Sequence, residues 1–210
     1  MRHRLAIRYA ITGDLRFLSH QDTLRLFQRA FARAGVAIRY SEGFNPRPRI
    51  SLAMPRPVGV ESCDELLVIE LTSPADPDVV LTHLQAQMPT GITLKSAVQL
   101  AMQDRCMPIS AEYAMPVDVA MTTSLQRAAG DLMAKTRHVV DRKTTDGQRK
   151  KSVDIRAFLR EIRLDNGLLI WSQTVCVDGT ARVGEVLEAV GLPAADWTHR
   201  VVRRKANFRD

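Results

Sequence analysis

The chain has 210 residues, of which 45% are hydrophobic and 25% charged, a composition too apolar for a disordered chain and long enough for one large core or two small ones. No apolar run approaches the roughly 20 residues that span a bilayer. The start, MRHRLAIRYAITGDLR, carries charges where a signal peptide needs an apolar core, so a cytoplasmic protein without membrane contact is expected. Thirty Lys and Arg against 23 Asp and Glu leave a net charge of +7, which favours polyanionic partners, with nucleic acid first among them.

From Arg4 to Ile11, charged and apolar residues alternate as in a strand with one buried face, and Gly13-Asp14 breaks the pattern. Ser19 is a good helix N-cap with Asp22 three residues on, and Leu24, Phe27, Phe31 and Ala34 then line one helical face up to the stop at Gly35. Arg25, Arg29 and Arg33 recur every fourth residue, away from that face, as a basic stripe. Ala37 to Ser41 reads as a short strand. The following Glu42 to Arg49 stretch, with Phe44, Asn45, Pro46, Arg47 and Pro48, must be a loop, because its prolines fix φ and remove donors. Extended segments at Ile50 to Met54 and Leu66 to Leu71, a helix from Pro77 to Met88 and a strand from Ile92 to Leu100 complete this part. The order is that of a split βαβ, or ferredoxin-like, unit.

The second part repeats the order more coarsely. A strand is expected at Tyr113 to Val119, a helix at Ser124 to Lys135 and a strand at His138 to Val140, followed by a polar, basic stretch from Asp141 to Ser152 that holds Lys150 and Lys151. Val153 to Leu164 leads through Asp165-Asn166-Gly167 into the apolar Leu168 to Val177, a hairpin signal. Val183 to Val190 reads as a helix closed by Gly191 and Pro193, and Thr198 to Arg203 as the last strand. The expected fold is therefore α+β, with two ferredoxin-like halves at 1–105 and 106–210 and helices packed on one face of mainly antiparallel sheets. Cys63, Cys106 and Cys176 lie far apart without histidines at ligand spacing, which reads as buried free thiols and implies no metal and no bound cofactor.

Four stretches carry a resemblance to a known family. They are Arg16-Phe17-Leu18-Ser19-His20-Gln21-Asp22, the helix end Arg33-Ala34-Gly35, the run from Tyr40 through Glu42-Gly43-Phe44-Asn45-Pro46-Arg47-Pro48-Arg49 to Ser51, continued by Pro55-Arg56-Pro57-Val58-Gly59-Val60-Glu61-Ser62, and Val153-Asp154-Ile155-Arg156. Together they resemble the radical S-adenosylmethionine-linked protein family, whose members occur alone or fused behind a cobalamin-binding radical enzyme. Arg56 stands where that family usually has leucine, and Ala157 where it usually has proline. The resemblance implies a partner radical S-adenosylmethionine enzyme and a setting in tRNA or rRNA modification. The radical step itself must happen elsewhere, since three clustered thiolates are missing.

Phe44, Arg47 and Arg49, in a loop stiffened by Pro46 and Pro48, suit the stacking of one base and the holding of phosphates. The bland alternative makes Phe44 a plug for the sheet edge. Arg25, Arg29, Arg33, Asn45, Arg56, Lys150, Lys151 and Arg156 extend the expected RNA surface. His20 opens the first helix on the side of Leu24 and Phe27. It is a weak candidate for a general base, with Asp14, Asp22 or Glu42 as partner, because the duplicated plan is shared with repeat-processing endoribonucleases. Local bracing is the plainer role for it. The expected function is RNA recognition or substrate positioning beside a radical enzyme. The alternatives are a metal-independent RNA-processing enzyme using His20 and a scaffold for the radical enzyme.

Overall fold

A computed structural model describes residues 3–143 and 150–209. The chain forms two compact units, Met1–Pro108 with Phe208–Asp210, and Ile109–Asn207. Both are α+β.

In the first unit, β1 (His3–Ile11), α1 (His20–Arg33), β2 (Ile50–Leu52), β3 (Glu61–Leu71), α2 (Pro77–Gln85) and β4 (Ile92–Leu100) follow one another along the chain. The strand order is β4-β1-β3-β2, with each of these pairs antiparallel. Strand alternation decides which residues meet the helices. Leu5, Ile7, Tyr9 and Ile11 of β1 and Leu67, Ile69 and Leu71 of β3 join Phe27, Ala30 and Phe31 of α1 and Val80 and Leu84 of α2 in one core. Both helices therefore cover the same sheet face. Tyr9 meets Phe27 edge-on at 4.9 Å between ring centroids, the arrangement that the ring quadrupoles favour.

Ser19 caps α1 as its sequence position suggests. Its hydroxyl accepts from the Asp22 backbone N–H at 3.1 Å and donates to the Asp22 carboxylate at 2.6 Å. That hydroxyl, helped by Arg25, holds the Asp22 carboxyl below its ordinary range.

In the second unit, β5 (Met107–Pro116), α3 (Thr122–Ala134), β6 (Val139–Lys143), β7 (Lys150–Asp154), β8 (Leu159–Asp165), β9 (Leu168–Thr174), α4 (Val183–Ala189), α5 (Ala194–Trp197) and β10 (Val202–Arg209) succeed one another. The main sheet runs β10-β5-β9-β8, which is again a 4-1-3-2 order once the β6–β7 hairpin is treated as an insertion after α3. Asn166 (φ 49°) and Gly167 (φ 74°) make the tight turn between β8 and β9, where both central residues need positive φ. Leu125, Ala129 and Leu132 give α3 its buried face, and Tyr113 stacks on Trp171 across β5 and β9 at 5.2 Å.

Several elements differ from the sequence expectation. Ala37 to Ser41 is not a strand. It touches its neighbours through single bridges, Ile38 with Leu71 and Tyr40 with Pro48, because the prolines that follow prevent a continuous ladder. β3 begins at Glu61, five residues before the apolar run that signals it, and β5 begins at Met107 rather than Tyr113. Thr198–Arg200 is a 3-10 turn, and the last strand starts at Val202. The basic stretch Asp141 to Ser152 is not simply a loop, since its ends form β6 and β7; residues 144–149 lie outside the described residues. No helix among the described residues is long and apolar enough to cross a membrane.

The Val153-Asp154-Ile155-Arg156 stretch is a structural joint. Asp154 accepts the backbone N–H groups of His138 at 2.9 Å and Arg156 at 3.1 Å, and lies 3.5 Å from the Arg137 guanidinium. These contacts, the His138 amide first, hold its carboxyl below the ordinary 3.8. The Arg156 guanidinium turns inward, bonding the Met133 carbonyl near the end of α3 and the Leu159 carbonyl at the start of β8. Ile155 is buried between them. A lowered carboxyl pKa stabilises the fold above the unfolded value and loses that effect as pH falls through the folded one. Asp154→Asn should therefore melt below wild type at neutral pH, and the gap should close as the pH falls below 3.8. Arg156→Ala should lose about 1.5–3 kcal/mol by denaturant unfolding, as expected for lost charged hydrogen bonds.

Candidate nucleic-acid interface

The proline loop closes as a narrow hairpin. The Arg39 N–H bonds the Glu70 carbonyl at 2.8 Å, the Glu70 N–H bonds the Arg49 carbonyl at 3.0 Å, and the Arg49 N–H returns to the Arg39 carbonyl at 2.8 Å. One rung further out, the Ser41 N–H bonds the Arg47 carbonyl at 2.8 Å, and the Ser41 hydroxyl accepts from the Arg47 N–H at 2.9 Å. The tip, Glu42-Gly43-Phe44-Asn45-Pro46, projects beyond these pins. Gly43 turns it with φ 117°, a value that disfavours any side chain.

Phe44 is fully exposed at that tip. The edge-plug alternative is thus removed, because a plug must be covered and this ring is not. Tyr40, on the loop's inner arm, is 56% exposed. Asn45, Arg47 and Arg49 are exposed as well, and among the described residues neither guanidinium makes a side-chain hydrogen bond or ion pair. An open aromatic ring and two uncommitted cations on one pinned loop have the chemistry to stack on a planar group and to hold an anion.

The arginines of α1 form a different surface. Arg25 pairs with Asp22 at 3.1 Å, Arg33 bonds the Gln87 side chain and carbonyl, and Arg29 is exposed with no partner among the described residues. They edge a groove of about 690 Å³ floored by Leu15, Leu18, Leu26 and Met88. This groove is on the helix side of the first unit, whereas the pocket at the loop base contains Val68 and Glu70 from the opposite face. The two basic clusters that the sequence places in one RNA surface are therefore separate.

Arg56 is committed within the fold and does not present an open cation. Its guanidinium is part-buried and bonds the carbonyls of Arg16 and Val60, each at 2.6 Å, and Leu18 at 3.1 Å, with Pro57 and Leu15 at longer range. It ties the turn before α1 to the entry of β3. Arg156 is likewise committed to backbone carbonyls, so both drop out of the expected surface. Lys150 and Lys151 stand exposed on β7, opposite Lys143 and Arg142. Arg142 is held by Glu185 through two 2.7 Å bonds, so among the described residues of β6 and β7 the exposed cations are Lys143, Lys150 and Lys151.

His20 has a buried Nδ1 without a hydrogen-bond partner. Asp22 is engaged by Ser19 and Arg25, Glu42 lies 3.6 Å from Arg39, and Asp14 makes no bond to the ring. Among the described residues, none of these carboxylates is paired with the ring. Cys106 is buried, Cys63 half-buried and Cys176 exposed, so the expectation of three buried thiols holds for one. Among the described residues no three His, Cys, Asp or Glu side chains cluster at metal-holding distance.

The sequence reading missed Ser41 and Glu70 at this site. Glu70 is the single charge within LLVIEL, on the alternation that also carries Leu66 and Val68, and that parity places it on the face away from the helices.

A family model described as an uncharacterized protein conserved in bacteria (DUF2344) matches residues 4–185. No curated protein matches the chain. Among solved structures, an unknown protein from Galdieria sulphuraria is similar at 10% identity and a TM-score of 0.29, covering 83% of this chain and 80% of its own. A putative chlorite dismutase is similar at 10% identity and a TM-score of 0.25, covering 100% and 95%.

The structural role of Arg56 can be separated from RNA binding. Arg56→Ala should lower unfolding free energy by about 1.5–3 kcal/mol through its unpaired carbonyls. Any oligonucleotide affinity measured well below the melting temperature should stay within about twofold of wild type. A stable variant with much weaker affinity would return Arg56 to the interface.

Proposed function

The chain belongs to that uncharacterized bacterial family, DUF2344, and we propose that it is an RNA-recognition module whose contact surface is the proline loop of the first unit. The observation that carries this reading is the fully exposed Phe44 beside the uncommitted Arg47 and Arg49. Water-exposed aromatic rings at loop tips bury nothing for the fold, so stability does not account for this one. A base offers the ring a flat partner. The pinned backbone lowers the entropy lost on binding. The excess of positive charge draws the strand in and releases counterions.

The resemblance of the loop and of the Val153 to Arg156 stretch to the radical S-adenosylmethionine-linked family supports a finer role. The module presents tRNA or rRNA to a separate radical enzyme that modifies it, acting in the cytoplasm. Chemistry then resides in the partner, in keeping with a His20 whose buried Nδ1 has no hydrogen-bond partner among the described residues.

Fluorescence anisotropy with a single-stranded RNA oligonucleotide tests the reading. Affinity should fall with salt, each phosphate contact adding about −0.7 to the slope of log affinity against log salt concentration. Phe44→Ala should weaken binding by about 1–3 kcal/mol. Its melting temperature should match wild type, since no core cavity is left. Arg47→Ala with Arg49→Ala should reduce both affinity and slope. A flat salt response, or full affinity in both variants, would remove the proposed surface.

A further inference from the structure

At the loop base, on the sheet face turned away from α1 and α2, lies a pocket of about 400 Å³. Its lining has three chemistries. Pro48 and Val68 make an apolar wall, Arg47 and Arg49 bring cations, and Glu70 brings a carboxylate.

Glu70 is part-buried, and its side chain makes no hydrogen bond or ion pair among the described residues. A carboxylate partly withdrawn from water and left without donors is costly to the fold. Its neighbour across the ladder, Arg4, could neutralise it. The Arg4 guanidinium is instead bonded to the carbonyls of Ala101 at 3.1 Å and Asp104 at 2.8 Å. The pocket therefore keeps an acceptor open for a ligand.

A carboxylate only accepts, and it is best matched by two parallel N–H donors. Among the RNA bases guanine offers that pair, N1–H and N2–H₂, side by side on its Watson–Crick edge. Adenine and cytosine each place a ring nitrogen acceptor beside their amino group, which a carboxylate repels, and uracil flanks its one N–H with two carbonyls. The apolar wall suits the face of a base, and the arginines suit the attached phosphate.

We propose that this pocket takes one guanosine nucleotide of a single-stranded RNA, with Glu70 reading the Watson–Crick edge and Arg47 and Arg49 holding the phosphate. This rests on the RNA reading above and adds a sequence preference to it. Binding of octauridylate is compared with variants carrying one central G, A or C, and GMP and AMP are titrated separately. The G variant should bind about fivefold to a hundredfold tighter than the others, the range of a good bidentate base contact.

Glu70→Gln should lose that preference and gain affinity for the A variant, because an amide pairs its acceptor and donor with adenine N6 and N1. Its melting temperature should not fall below the wild-type value, since the withdrawn charge is removed. Equal affinity for all four strands, or an unchanged order in Glu70→Gln, would overturn the guanine pocket while leaving RNA binding intact. GMP bound in preference to AMP with no oligonucleotide bound would keep the pocket and remove the RNA reading. No binding of any probe would overturn both.

Discussion

A β-strand can give only alternate residues to one packing layer, and in the first unit that constraint distributes everything else. Once Phe27 and Phe31 of α1 and Leu84 of α2 take Leu5, Ile7, Leu67 and Ile69 for the core, Arg4, Val68 and Glu70 must face the other way. Shifting β3 by one residue would bury Glu70 among aromatic rings and expose Leu67. The same parity brings Glu70 under the proline loop, whose Arg39 and Arg49 are fastened to the Glu70 backbone. Core packing thereby sets the position of the candidate site without contributing a residue to it.

Positive charge in this chain divides into two kinds. Arg56, Arg142 and Arg156 turn inward and satisfy carbonyls or a carboxylate, holding turns and a hairpin in place. Arg29, Arg47, Arg49, Lys150 and Lys151 remain exposed without such partners among the described residues. Net charge counts both kinds alike. Ligand binding depends on the second, and electrostatic attraction at these exposed positions is also the kind that salt screens most.

Much of the fold was legible because its signals are local. The Ser19 cap, the Phe27 and Phe31 spacing, the Asn166-Gly167 turn and the two strand-helix successions need only neighbouring residues, and they place β1, α1, the β8–β9 turn and α4 well. The failures share a cause in pairing. β3 extends back through Glu61-Ser62-Cys63-Asp64-Glu65, a stretch with no apolar run, because partners across the ladder and not propensity keep it extended. Ala37 to Ser41 has strand-like composition but lacks a continuous partner.

The site was half legible. Phe44, Arg47 and Arg49 stand out by composition, whereas the roles of Arg56 and Arg156 depend on carbonyls that come together only in three dimensions. Glu70 was hidden for the same reason.

On the proposed reading, the exposed loop of the first unit, and not the arginine groove of α1, meets RNA. Ultraviolet crosslinking of a photoreactive single-stranded RNA to the whole chain, followed by mass-spectrometric mapping of the modified peptides, tests this most directly. Crosslinks should centre on Phe44 within residues 42–49. Crosslinks confined to residues 25–33, or none at low salt, would contradict it.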